Sequence, residues 1–167
     1  MSPQPGVMPF WPRVSPHFLA CRRAVRAAQL DHTVAVGLSG GADSLALCAA
    51  MLAERHDVIA LCVDHGLQDG SREQAERAAR QAESLGARAR VLEVQVPEEA
   101  GNSLEAAARQ ARYQAMSAAA REDGASRRGG GPLEIAVAHT ADDQAETLLL
   151  GALRGRVAGM PERAVVE

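Results

Sequence analysis

The chain has no lysine; its 18 basic residues are all arginine. That absence removes the G-x-x-x-x-G-K-[ST] phosphate loop, whose lysine reaches the β- and γ-phosphates, and no segment has its spacing. Cysteine is scarce too. Cys21, Cys48 and Cys62 are far apart, with no C-x-x-C pair, which argues against disulfides and metal binding and fits reduced, mostly buried thiols. One Trp, one Tyr and two Phe are too few for a base-stacking sheet. No apolar run approaches the roughly 18 residues of a membrane helix, and residues 1–16 contain no signal-peptide core. The expected setting is the cytoplasm, with no membrane partner. A net charge of −3 argues against a dedicated nucleic-acid clamp while leaving room for local arginine patches.

What is present suits one domain: 167 residues, 47% of them apolar, suffice for a substantial core. Residues 1–16 hold five of the eight prolines and read as a loose leader, 17–160 as the folded domain and 161–167 as a tail. Strand candidates are Thr33–Leu38, Val58–Val63, Ala89–Val94 and Glu134–Ala138, separated by windows with apolar residues at i, i+3, i+4 and i+7. From Pro16 to about Leu30 runs a helical pattern whose Arg22, Arg23 and Arg26 suggest a solvated face over the sheet edge. Asp43 is expected to open the next helix. Ser71 with Gln74, and Asn102 with Glu105, have capping-box spacing, and Gly86 stands where a helix should stop. Glu122–Pro132, rich in glycine and arginine, reads as a solvated loop or an RNA-phosphate contact. Alternating strands and helices predict an α/β fold: a Rossmann-like parallel sheet with helices on both faces.

Two clusters carry chemistry. In Val34–Ser44 a strand runs into Ser39-Gly40-Gly41 and then into a helix opened by Asp43 and Ser44. This geometry aims backbone N–H groups at one anion, at the positive end of a helix dipole. The glycines allow close approach, and Ser39 and Ser44 add hydroxyl donors. The dinucleotide G-x-G-x-x-G pattern is absent. After the fourth strand, Asp142, Asp143 and Glu146 fall in the first turns of a helix, where Asp143 and Glu146 are i, i+3 and Asp142 and Glu146 are i, i+4. They suit helix capping, Mg²⁺ or a substrate ammonium group. Both clusters follow strands, so they can share one crevice at the carboxyl end of the sheet.

The S-G-G-A-D-S loop resembles that of the N-type ATP pyrophosphatases, the PP-loop superfamily with an adenine nucleotide alpha hydrolase-like fold. In order, that loop, Val63-Asp64-His65-Gly66-Leu67, Asn102 to Arg112-Tyr113, and A-H-T-A-D-D-Q-A-E-T from Ala138 resemble the bacterial tRNA(Ile)-lysidine synthases over roughly residues 33–160. The resemblance implies that ATP adenylates C2–O of the wobble cytidine of tRNA(Ile) with a CAU anticodon. L-lysine then displaces AMP. It also implies that Ser39, Gly40, Gly41, Ala42, Asp43 and Ser44 cradle the pyrophosphate and that Asp64 and His65 border the adenosine. Arg112 would stabilise developing charge. Asp143 and Glu146 would hold the lysine ammonium or Mg²⁺, with Asp43, Asp142 and Asp143 as the metal candidates. A homodimer stays open. Two features depart from the family: Leu153–Met160 stands where a longer Arg-Gly-Ser-Gly stretch is usual, and members normally continue beyond the position of Glu167 into tRNA-gripping helices. The alternatives are a sibling adenylating enzyme, such as a tRNA thiolase, and a non-catalytic nucleotide-binding module.

Overall fold

The computed structural model describes residues 11, 14–66, 69–95, 104–127, 130–139 and 145. Helix α1 (Pro16–Ala27) starts with Pro16 where a helix needs no N–H, and the Ser15 hydroxyl accepts from the Phe18 N–H at 3.3 Å. Then follow β1 (Thr33–Gly37), α2 (Ala42–Ala53), β2 (Asp57–Asp64), α3 (Ser71–Leu85), β3 (Arg88–Glu93), α4 (Leu104–Ala125) and β4 (Ile135–Val137). The four expected strands all form, each end within one residue of its expected place.

The sheet is wholly parallel, in the order β3-β2-β1-β4. The chain winds outward from β1 to β3, and α4 then returns it to the other side of β1. The winding therefore reverses between β1 and β4. Successive strand residues face opposite sides. Val34, Val36, Val58, Ala60 and Cys62 pack with α2 and α3, and Ala35, Ile59 and Leu61 with Met116, Ala119 and Ala120 of α4. Helices covering both faces explain why β2 is an apolar run rather than an alternating one. Helix α3 buries only alanines, Ala75, Ala78, Ala79 and Ala82, so it lies close to the sheet. Met51 of α2 is 1% exposed, and truncating such a side chain to alanine costs about 2–5 kcal/mol.

Three local expectations are corrected. Helix α1 packs on α2 rather than over a sheet edge, and Arg22 and Arg26 converge on Glu54 just past the end of α2, while Arg23 and Arg26 stay solvated as expected. The Ser71–Gln74 pair forms no capping box. Gly70, left-handed at φ 85°, takes the N-cap position without a side-chain bond, because both side chains are engaged elsewhere. Glu122–Ala125 is the last turn of α4 rather than loop, held by Arg90 of β3 donating to Glu122 and Asp123 at 3.0 and 2.9 Å. Gly86 ends α3 in the expected left-handed conformation, at φ 101°. Asn102 lies outside the described residues, as does the Glu105 side chain. Among the described residues no helix is long and apolar enough to cross a membrane.

Candidate functional site

The turn from β1 to α2 is built from backbone geometry and two hydroxyls. Gly40 has φ +81°, and a Cβ there would lie 3.3 Å from the Ala78 Cβ, so conformation and space both call for glycine. Gly41, not Asp43, is the N-cap of α2; Asp43 sits exposed in the first turn. Ser44 is buried and ties the loop from beneath: it accepts from the Ser39 N–H at 3.3 Å and donates to the Gly41 carbonyl at 3.0 Å. The Ser39 hydroxyl accepts from the Gly41 N–H at 3.4 Å and lies 3.2 Å from the Ser44 hydroxyl. The first N–H groups of α2 have no intrahelical acceptor and sit at the positive end of its dipole. This is a receptor for an anion.

The loop forms one wall of a cleft of about 430 Å³ over the carboxyl ends of β1, β2 and β4. Ligand sites of parallel α/β sheets fall where the winding reverses, and this volume is of small-ligand size. Leu61, Val63, Met116 and Val137 supply apolar lining, and Gly37 keeps the floor low. A Cβ on Gly37 would lie 2.9 Å from the Met116 sulfur and 3.0 Å from Val137 Cγ1. Ser71 and Gln74 of α3 line another side, Arg109, Arg112 and Tyr113 of α4 the next, and Ala138 and His139 follow β4.

Of the residues singled out from sequence, Ser39, Gly41, Asp43, Ser44, His65 and Arg112 come together on this cleft. Gly40 and Ala42 belong to the loop without lining the cavity. Asp64 is also off the wall, 9% exposed, with its carboxylate accepting from the Ser71 hydroxyl at 2.6 Å and the Gly66 N–H at 3.0 Å. The Ser71 bond holds its pKa below the ordinary value against the opposing effect of burial, and Gly66, Arg72 and His65 add to the lowering. Asp142, Asp143 and Glu146 lie outside the described residues.

Sequence reasoning missed Arg109, Tyr113 as a platform, and Gln74. The Arg109 and Arg112 guanidiniums lie 5.3 and 5.5 Å from the centroid of the Tyr113 ring, within cation–π range. The available signal was the i, i+3 spacing of the two arginines, which puts them on one helix face. Gln74 was obscured by its capping-box spacing. No cysteine lines the cleft: Cys21 is exposed on α1, while Cys48 and Cys62 are in the core. Burial pushes both core thiols up to about 11, with Cys48 and Glu83 adding to the effect on Cys62.

An anion loop at a helix N-terminus, set where a parallel sheet reverses its winding, defines a nucleotide-binding α/β domain. The PP-loop domain family matches residues 19–166, and the chain belongs to that family. The match supports ATP as the nucleotide. The chain is 51% identical over 151 residues to the tRNA(Ile)-lysidine synthase of Corynebacterium glutamicum, covering 90% of this chain and 43% of that protein. It is 57% identical over 151 residues to that of Corynebacterium diphtheriae, covering 90% and 46%. The chain thus spans less than half the length of these curated relatives. Among solved structures, the U34-tRNA thiolase NcsA from Methanococcus maripaludis with its [4Fe-4S] cluster matches with a TM-score of 0.66 at 22% identity. That match covers 84% of this chain and 52% of the thiolase, and it is a likeness of fold.

Proposed function

We propose that this chain is the nucleotide-binding and catalytic part of a tRNA(Ile)-lysidine synthase. The observation that carries the reading is one cleft lined both by the Ser39–Ser44 loop and by Arg109 and Arg112, in a chain about half identical to proteins of that name. In this reading the loop and the α2 N-terminus hold the β- and γ-phosphates of ATP. C2–O of the wobble cytidine of tRNA(Ile) attacks the α-phosphorus, and diphosphate leaves. Arg112, a forked donor, offsets charge on the α-phosphate, and Arg109 extends the same positive wall. The neutral ε-amine of L-lysine then adds at C2, its proton passes to a carboxylate, and AMP departs. Asp143 and Glu146 are the proposed holders of the amine. Closing one site around both steps shields the adenylate from water.

Mg²⁺ fits this cleft as a companion of ATP. Asp43 offers one exposed carboxylate beside the loop, and Mg²⁺ is commonly bound by one or two carboxylates plus phosphate oxygens. No group of three or more His, Cys, Asp or Glu that would cage an ion exists among the described residues. When bound, the ion would neutralise phosphate charge. Asp142 and Asp143 are its other proposed ligands. The absence of cysteine from the cleft disfavours a sulfur-transferring sibling.

The test is transfer of radiolabelled lysine to CAU-anticodon tRNA(Ile) with Mg-ATP, followed alongside release of AMP and diphosphate. The expected result is transfer that disappears in Asp43→Ala while its circular dichroism is unchanged. Unaltered ATP turnover in that variant would overturn the loop assignment. AMP release that never produces lysine transfer would favour the nucleotide-binding module instead.

A further inference from the structure

A planar trans peptide points its carbonyl and its N–H in opposite directions. In the phosphate loop the Ser39 carbonyl and the Gly40 N–H belong to one such peptide. Whether an anion meets a donor or an oxygen lone pair there depends on which way this unit faces. Gly40 makes the wrong orientation accessible, because glycine takes positive and negative φ about equally well. A flip of the peptide would therefore meet little steric resistance, and something outside the loop must hold it.

Helix α3 is placed to do so. The Gln74 side-chain amide donates to the Ser39 carbonyl at 3.4 Å, drawing that oxygen toward α3 and turning the Gly40 N–H away from it. One helical turn on, Ala78 sits against Gly40, where an added Cβ would lie only 3.3 Å from its own. Helix α3 is itself anchored at its start. The Gln74 N–H donates to the Gly70 carbonyl at 2.9 Å, and the Ser71 hydroxyl donates to Asp64 at 2.6 Å. The S-x-x-Q pair that should have capped this helix is thus used on its neighbours: Ser71 on the end of β2, Gln74 on the loop after β1.

We propose that Gln74 is a positioning residue that locks the Ser39–Gly40 peptide with its N–H available to the phosphate chain of the nucleotide. The inference rests on the proposed role of Ser39–Ser44 as a pyrophosphate cradle. Gln74→Met keeps length without the donor, and Gln74→Ala removes both. Each variant should bind inorganic pyrophosphate about fivefold more weakly than wild type, the worth of one neutral hydrogen bond. Adenosine affinity should stay unchanged, a split that general destabilisation would not produce. The Gly40 amide resonance, recorded on the ligand-free protein, should broaden or double in both variants as the peptide samples two orientations. Pyrophosphate affinity and a Gly40 resonance both unchanged in both variants would overturn the inference. If the wild-type protein binds no pyrophosphate, the cradle reading fails. The Gly40 resonance then decides separately: broadening in the variants upholds the lock and an unaltered line removes it.

Discussion

Asp64 is a carboxylate with two partners inside the fold. It accepts from Ser71 and Gly66, and these bonds hold its pKa below the unfolded value. The ionised form is thus favoured in the folded state. The stability it contributes is present above the unfolded pKa of about 3.9 and disappears as pH falls through the lower folded value. Wild-type stability should therefore fall as pH drops below about 4, and Asp64→Ala should flatten that fall. At neutral pH the same variant should lose about 2 kcal/mol in denaturant unfolding, the worth of hydrogen bonds to a charged acceptor. The cysteines give a second prediction at this scale. Thiolate is the reactive form, and the two core thiols are both buried and pushed up to about 11. A thiol-alkylating reagent at neutral pH should label Cys21 alone in the native protein and all three cysteines in denaturant, counted by mass. Rapid native labelling of Cys48 or Cys62 would contradict the packing between α2 and the sheet. At this scale sequence reading reached the loop residues, whose chemistry is local. It missed what Ser71 and Gln74 do, because capping-box spacing is also local whereas their partners, Asp64 and Ser39, are 7 and 35 residues away.

The elements were legible wherever burial imposed a period or an apolar run. Strands β1, β2 and β4 are short and mostly apolar, β3 keeps a mostly apolar centre between charged ends, and the limits of all four were readable to within one residue. Helix α4 was read as ending too early. Its last turn contains Gly124, a poor helix former, and three charged residues stand nearby, Arg121 to Asp123. Arg90, on a strand about 30 residues earlier, supplies the ion pairs that keep the turn helical. Gly124 is buried there for a packing reason. A Cβ at this position would overlap the Gly131 carbonyl, which is backbone and cannot rotate away. Gly124→Ala should accordingly destabilise the protein by about 2–3 kcal/mol in denaturant unfolding, although alanine is the better helix former. An unchanged or raised midpoint would show that the backbone at Gly131 and Pro132 moves aside freely.

For the whole molecule the decisive fact is the reversal of winding at β1, which brings the loop after β1 and the segment after β4 to one cleft. Asp143 and Glu146, which follow β4 in the sequence, are proposed to act on lysine rather than on ATP. Glu146→Ala should then abolish lysine transfer while leaving ATP affinity within about twofold of wild type, a difference under 0.5 kcal/mol. Collapse of ATP affinity in that variant would make Glu146 a metal ligand instead. The sequence by itself determined the parallel α/β class and the anion loop. Both follow from patterns between near neighbours: short apolar runs alternating with period-3.6 windows, and a glycine turn between strand and helix. Only the tertiary structure decided that α1 lies on α2, that Asp64 braces α3 and that Gln74 reaches Ser39. Those pairings join segments whose separation in the chain carries no local signal, and they form only when packing of the sheet and helices brings the side chains within hydrogen-bonding distance.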